Sequence, residues 1–136
     1  MLEVPKSGLE REASLLSPLQ LAYIGDTVWD LMVRTGLIHS GKNLHHMHCA
    51  AIAKVNAQAQ ARALNRLDGK LTGEEADMVR RGRNAHPRHA APRNQDPADY
   101  SRATGLETLI GYLYLTGRHE RLQELYRMAQ PEETVF

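Results

Sequence analysis

A chain of 136 residues is long enough for one domain with a hydrophobic core and too short for two. Its hydrophobic fraction of 42% and charged fraction of 24% are typical of a soluble globular protein, and a formal net charge of +1 excludes nucleic acid binding by overall charge alone. No segment resembles a signal peptide or a membrane span, and a single cysteine excludes an internal disulfide, which together predict a cytoplasmic protein.

The first fifteen residues mix charged and apolar side chains around a proline and a glycine. We therefore expect a mobile or loosely docked N-terminal arm over residues 1–15 and one domain over residues 16–136. The first helix of that domain is predicted from Pro18 to about Gly36, because Ser17 is a suitable N-cap and proline suits the first helical position.

This first helix carries apolar residues at three- and four-residue steps over more than half of its circumference. The stripe consists of Leu21, Ile24, Val28 and Leu31, widened by Leu19, Met32 and Val33. Such a pattern is typical of a central helix. Asp26 is unexpected there, because a charge beside a core needs a group that compensates for its lost hydration. A metal ion is one such group.

Helical periodicity continues along the rest of the chain. A long helix is predicted over residues 44–67, and a shorter one begins at the Thr72 cap and ends near Asn84. Residues 85–97 predict a loop, because they contain three prolines and no apolar periodicity. A helix over about residues 97–115 and a final amphipathic helix follow. Since no segment alternates with a period of two, the predicted fold class is all-α.

Two acids lie within strongly apolar predicted helices, Asp26 in the first and Glu107 in the helix over about residues 97–115. Each has glycines nearby, and small residues let two helices approach closely, so we expect the two carboxylates to lie near one another. Like charges raise each other's pKa unless a cation lies between them, and Mg²⁺ suits a site of one or two carboxylates with substrate phosphate. Spacing alone leaves a second interpretation open, in which both acids are boundary residues facing solvent or an arginine.

Asp30 lies one helical turn after Asp26 and on the same face. It is either a further ligand, an outer group that holds water, or a solvated charge paired with Arg34. We favour the ion pair with Arg34.

A basic segment covers the end of the third predicted helix and most of the predicted loop after it. Residues 80–93 contain five arginines and two histidines, with no acid between Asp77 and Asp96. This local charge density is typical of phosphate contacts, and the lack of aromatic residues favours the backbone of a duplex over stacking on single-stranded bases. A solvated loop with incidental charge is the alternative. The candidate RNA-binding residues are Arg80, Arg81, Arg83, Asn84, Arg88 and Arg93.

Three histidines, His45, His46 and His48, lie next to Cys49. Positions 45, 48 and 49 share a helical face, but a structural zinc site normally draws on two separated ligand pairs and the sequence has no second pair. We therefore expect the histidines to lie at the start of a helix, with Cys49 buried as a small hydrophobe.

Several blocks of the sequence, in the same order, resemble the ribonuclease III family. Residues 21–28, LAYIGDTV, resemble the signature helix of its catalytic domains, and residues 103–111, ATGLETLIG, resemble its second acidic helix. Residues 16–23, 81–85 and 111–115 more closely resemble the Mini-III branch, whose members are catalytic domains without a double-stranded-RNA-binding module. The resemblance covers nearly the whole chain.

This resemblance implies an all-helical, homodimeric ribonuclease III endonuclease-like bundle that hydrolyses double-stranded RNA with Mg²⁺, or with Mn²⁺ as a substitute. By position, Asp26 and Glu107 are the metal-binding catalytic acids. Each of the two sites in the dimer would cut one strand and leave a 5′-phosphate and a 3′-hydroxyl. The implied biological role is maturation of large-subunit (23S) ribosomal RNA ends in bacteria, with ribosomal proteins as further candidate partners.

The sequence departs from the full-length enzymes of the family at two positions. Ala22 stands where those enzymes have a glutamate, and Thr104 stands where they have an acid. The site therefore has fewer acidic residues, as in the Mini-III branch that the chain resembles. This difference leaves the number of metal ions open. A function of a different class, a catalytically silent helical module for RNA binding or ribosome assembly, is the alternative. The presence of Asp26 and Glu107 favours the enzyme, because a pure binder of phosphate would bind better without two anions.

Overall fold

The computed structural model describes residues 9–85 and 96–131, and within these ranges it contains only helices. The helices are α1 (Leu9–Leu15), α2 (Pro18–Ile38), α3 (Leu44–Val55), α4 (Ala57–Arg66), α5 (Gly73–Arg83), α6 (Pro97–Leu115) and α7 (His119–Ala129). The expected all-α class is confirmed. None of the described helices is both long and apolar enough to span a bilayer.

Helix α6 is the central helix of the bundle. It packs against α1, α2, α4, α5 and α7, and every residue from Leu106 to Leu113 except Glu107 is buried. The prediction that the first helix is central is wrong, because α2 divides its apolar side chains between two surfaces. Its Val28 and Val33 side chains face the core, whereas Tyr23 is 84% exposed and Leu31 is 56% exposed.

Side-chain caps determine where the helices begin. Ser17 Oγ accepts a hydrogen bond from the Gln20 backbone N–H at 3.1 Å, and the Gln20 side chain accepts one from the Ser17 N–H at 2.9 Å. The predicted Thr72 cap forms the same reciprocal box at α5. At its other end, α2 continues through the predicted stop at Gly36 and ends at Ile38, and the positive φ of 74° occurs later, at Gly41.

The predicted helix over residues 44–67 is two helices, and Asn56 separates them. The Asn56 backbone is extended, and its side-chain oxygen accepts from the Ala59 N–H at 2.8 Å, which caps α4. Its amide nitrogen donates to carbonyls in the last turn of α3. The Trp29 indole N–H also donates to the Lys54 carbonyl at 3.2 Å. The end of α3 is thus held by two side chains, which an alanine-rich pattern does not reveal.

The segment predicted as an N-terminal arm contains a helix that the sequence analysis did not predict. Helix α1 packs against α6, and Ala13 is fully buried in that contact. The later part of the arm is therefore docked on the central helix. The other predicted irregular segment, the loop over residues 85–97, lies mostly outside the described residues.

Candidate functional site

The candidate site forms where α2 crosses α6 at two glycines. A Cβ atom on Gly25 would lie 2.7 Å from the carbonyl carbon of Glu107, and one on Gly111 would lie 2.8 Å from the carbonyl carbon of Leu21. Side chains do not fit at such separations, so the two helix backbones touch directly. Asp26 follows Gly25 in the chain, and the crossing therefore brings its carboxylate to the neighbourhood of Glu107.

The two carboxyl groups are electrostatically unfavourable neighbours. Burial raises the pKa of Glu107 to about 8, and the charge of Asp26 also raises it. Burial raises the pKa of Asp26 as well, with a further contribution from the charge of Asp30. In the part of the chain that the structure describes, neither Asp26 nor Glu107 has an ion pair. The crossing thus concentrates negative charge without a basic side chain to balance it.

A divalent cation fits this pair of acids. Carboxylates that destabilise each other's charge become good ligands when a cation lies between them. Mg²⁺ binds one or two protein carboxylates and completes its coordination with water and phosphate oxygens. Asp26 and Glu107 could supply the two carboxylates. Over residues 9–85 and 96–131, no group of three or more His, Cys, Asp or Glu side chains could hold a metal ion.

Asp30 lies beside the acidic pair and is engaged elsewhere. Its Oδ1 accepts a hydrogen bond from Arg34 Nε at 3.0 Å, in an ion pair across one turn of α2. The interpretation of Asp30 as the partner of Arg34 is therefore confirmed. Its charge still contributes to the raised pKa of Asp26.

Thr108 is a buried polar residue of the site that the sequence analysis missed. Its hydroxyl lies 2.7 Å from the carbonyl oxygen of Thr104 and 3.1 Å from that of Pro18, at the first turn of α2. Thr108 thus joins α6 to α2 one residue after Glu107. Thr104 is itself partly buried, and its hydroxyl donates to the Tyr100 carbonyl at 2.9 Å. A hydroxyl within the apolar stretch of α6 was the available signal.

The basic segment begins on the last turns of α5, which pack closely on α6. A Cβ atom on Gly82 would lie 2.8 Å from the Cα of Gly105, and the Ser101 hydroxyl donates to the Arg83 carbonyl at 2.8 Å. These contacts hold the end of α5 on the same central helix that carries Glu107.

The candidate RNA-binding residues differ in their surroundings. Arg80 is exposed and pairs with Asp77, Arg81 is half-buried beside Met78, and Arg83 is exposed. Asn84 is exposed and forms the C-cap of α5. The predicted residues Arg88 and Arg93 lie outside the described residues.

The histidine cluster lies at the beginning of α3, as predicted. His45 Nε2 lies 3.8 Å from Cys49 Sγ, and all four side chains are exposed. The prediction that Cys49 is buried is wrong, because its position on α3 leaves the side chain exposed. The low expectation of a zinc site stays a prediction.

Comparisons with known proteins agree with this architecture. The family model of the Ribonuclease III domain matches residues 19–118. Mini-ribonuclease 3 of Symbiobacterium thermophilum is 47% identical over 115 residues, which cover 84% of this chain and 88% of the relative. Mini-ribonuclease 3 of Brevibacillus brevis is 43% identical over 125 residues, which cover 91% of this chain and 92% of the relative.

A solved structure shows the same fold. The crystal structure of protein FN1578 from Fusobacterium nucleatum superposes with a TM-score of 0.76 at 29% sequence identity, and the match covers 84% of this chain and 91% of that chain. The family model, the relatives and the fold agree over most of the chain. The chain therefore belongs to the Mini-ribonuclease 3 branch of the ribonuclease III family of endoribonucleases.

Proposed function

We propose that this chain is a Mg²⁺-dependent endonuclease that hydrolyses double-stranded RNA. The observation that carries the proposal is the acidic pair of Asp26 and Glu107. The two carboxyl groups lie at one helix crossing, burial raises the pKa of both, and neither has a basic partner in the described chain. In a family of ribonucleases, such a pair favours hydrolysis assisted by a hard metal ion.

In this mechanism, Asp26 and Glu107 would hold the metal ion. When bound, Mg²⁺, or Mn²⁺ in its place, would supply an activated water and neutralise charge on the phosphate. The protein contributes a rigid pair of carboxylates, because each acid lies on a long helix and the helices are locked together at Gly25 and Gly111. Attack of water on the phosphodiester leaves a 5′-phosphate and a 3′-hydroxyl.

Basic residues at the end of α5 hold the RNA. Arg80, Arg81 and Arg83 lie there with the C-cap residue Asn84, and α5 packs on α6, the helix that carries Glu107. Arg88 and Arg93 belong to the same proposal on the ground of the sequence alone. Arginine forks bind phosphate oxygens and tolerate any base sequence, which suits contacts to a duplex backbone.

A homodimer supplies the second active site that two-strand cleavage needs. Four exposed apolar residues of α2 lie within about 120° of the helix circumference, because each residue advances about 100° around the axis. These residues are Leu19, Tyr23, Leu31 and Ile38. Exposed apolar side chains that are grouped on one side of a helix favour association with another protein surface. Since this surface adjoins Asp26, a second copy seated on it brings two acidic pairs to one RNA duplex.

The proposal extends to the setting of the reaction. We assign residues 16–136 to the catalytic domain and residues 1–15 to an arm. The substrate is precursor 23S ribosomal RNA in the cytoplasm, with ribosomal proteins as candidate partners.

Cleavage of a long RNA duplex tests the proposed function. Wild type with Mg²⁺ should cut the duplex, spare the single strand and leave 5′-phosphate ends. A chelator or Glu107→Gln should abolish the cleavage. Wild type that is inactive across a wide range of Mg²⁺ and Mn²⁺ concentrations would support the silent RNA-binding module instead. Full activity of Glu107→Gln would remove this residue from the mechanism.

A further inference from the structure

A groove of about 780 Å³ lies between α4, α5 and the first turns of α6. Its apolar lining is formed by Leu64, Leu67, Leu71 and Val79. Three arginines also line it, Arg80 and Arg83 from α5 and Arg102 from α6. Neither Asp26 nor Glu107 is among the lining residues. The groove is therefore a surface separate from the site of hydrolysis.

The groove carries an excess of positive charge. Its three guanidinium groups face one lining carboxylate, that of Asp68. Arg80 is paired with Asp77, whereas Arg83 and Arg102 make no ion pair with any residue of the described chain. A guanidinium without a carboxylate partner is well suited to bind an anionic oxygen in two parallel hydrogen bonds.

Two amide side chains, those of Asn65 and Asn84, add further hydrogen-bonding groups to the groove. Arginine and asparagine side chains together suit the phosphates and 2′-hydroxyls of RNA. A groove that binds an acidic protein surface would need mainly positive charges. The combination of arginine and asparagine side chains therefore favours RNA as the ligand.

The groove and the acidic pair share helix α6. Arg102 precedes Glu107 by five residues, which is a rise of about 7.5 Å along the helix and a turn of about 140° around it. Arg83 packs where α5 meets α6, since a Cβ atom on Gly105 would lie 2.8 Å from Arg83 Cγ. The groove arginines are therefore held in a fixed position relative to the acidic pair, on another side of the same helix.

We propose that this groove binds backbone phosphates of the RNA duplex, and that Arg102 is a further RNA-binding residue. The proposal rests on the proposed function, because that function supplies the ligand. It adds a residue that lies on α6, outside the basic segment of residues 80–93. Because its contacts are to the backbone, Arg102 contributes affinity without sequence preference.

Binding of an RNA duplex by Glu107→Gln protein in chelator tests the proposal without cleavage. In this background we compare Arg102→Ala, Arg102→Lys and, as the matched control, Arg62→Ala. Arg62 is exposed on α4 and does not line the groove. Arg102→Ala should weaken binding about 3- to 10-fold and reduce the slope of log K against log salt by about 0.9, the value for one phosphate contact. Arg102→Lys should keep most of the slope, and Arg62→Ala should match the parent.

Two results would overturn the proposal. An Arg102→Ala protein with the affinity and slope of its parent would assign the groove to another class of ligand, such as an acidic protein surface. Equal losses in Arg102→Ala and Arg62→Ala would show a general effect of charge. Neither result would contradict the proposed cleavage reaction. A parent protein that binds no duplex would instead contradict the proposed function together with the groove.

Discussion

Gly25 lies against the carbonyl group of Glu107 with no space for a side chain between them. The φ of Gly25 is not in the left-handed region, so the backbone conformation does not require glycine. Glycine is needed here because a side chain would prevent the close approach of the two helices. The contact joins the two helices at the point where each carries an acid. The position of Asp26 relative to Glu107 therefore depends on a residue that has no side chain.

Substitution of Gly25 by alanine should separate α2 from α6. The added methyl group would overlap the Glu107 carbonyl, and overpacking of this kind costs about 1–3 kcal/mol or more. We expect a lower free energy of unfolding, measured by urea denaturation, and a loss of cleavage at a temperature where the variant is still folded.

Gly36→Ala is the matched control for that experiment. Gly36 lies in the same helix, and a Cβ atom there would have no neighbour within 4 Å. Alanine should therefore stabilise the protein by up to about 1 kcal/mol through its helix propensity. Equal effects of the two substitutions would contradict the close crossing.

Glu107→Gln should stabilise the metal-free protein at high pH. The folded state raises the pKa of Glu107 from an ordinary 4.5 to about 8, so it disfavours the ionised form. The resulting penalty is absent below pH 4.5, grows as the pH rises to about 8 and is constant above that. We expect a gain of about 1–3 kcal/mol at pH 9 in chelator, measured by urea denaturation.

The exposed Glu120 of α7 provides the control, and Glu120→Gln should show no such growth with pH. Added Mg²⁺ should reduce the advantage of Glu107→Gln, because it stabilises the wild-type site by binding it. A gain that does not depend on pH would contradict the assigned environment of Glu107.

The ion pair of Glu75 with Arg121 should hold α5 to α7. Glu75 is buried, and both of its oxygens accept hydrogen bonds from Arg121, at 2.8 and 2.9 Å. Arg121 also donates to the Lys70 carbonyl at 2.9 Å. Arg121→Ala should destabilise the protein by about 2–4 kcal/mol at pH 7, because it leaves a buried carboxylate without its partner. Arg127→Ala on the exposed side of α7 should change stability by less than about 0.5 kcal/mol.

The same ion pair predicts that the stability of the protein depends on pH in the acidic range. The hydrogen bonds from Arg121 lower the pKa of Glu75 below its ordinary 4.5. The stability that this shift contributes is present above pH 4.5 and is lost as the pH falls through the lowered value. The gap between wild type and Arg121→Ala should therefore narrow on acidification, and a constant gap in urea denaturation would oppose this account.

Tyr23→Asp should dissociate the proposed dimer. Tyr23 is the most exposed of the apolar residues of α2, and an aspartate buried at the proposed interface would lose hydration. Sedimentation at micromolar concentration should show a dimer for wild type and a monomer for this variant. Gln123→Asp, on the exposed face of α7, should stay dimeric. A monomeric wild type would remove the dimer from the mechanism.

Local chemistry made most helix boundaries predictable from the sequence. Ser17 with Pro18 begins α2, and Thr72 begins α5, because hydroxyl caps and an N-terminal proline satisfy or remove backbone donors that have no helical partner. The grouping of acids and glycines on two apolar helices likewise indicated which helices approach each other. The caps act within one helix, and the acids and glycines act between two helices.

Other features depend on tertiary contacts that no local pattern contains. The break at Asn56 is supported by Trp29, which is distant in the chain, and the good helix formers around it conceal it. Cys49 is exposed because of where α3 packs. Arg102 joins the arginines of α5 only through the packing of α5 on α6, and no pattern in the sequence singles it out.

The most direct test of the acidic pair compares Asp26→Asn with Asp30→Asn in a single-turnover cleavage of duplex RNA over a range of Mg²⁺ concentrations. The two aspartates lie one turn apart on α2, and Asp30 is already paired with Arg34. Asp26→Asn should lower the rate by about 100-fold or more, the scale of losing a group that stabilises charge in the transition state. Asp30→Asn should stay within a few-fold of wild type. Equal rates for the two variants would contradict a metal site built on Asp26 and Glu107.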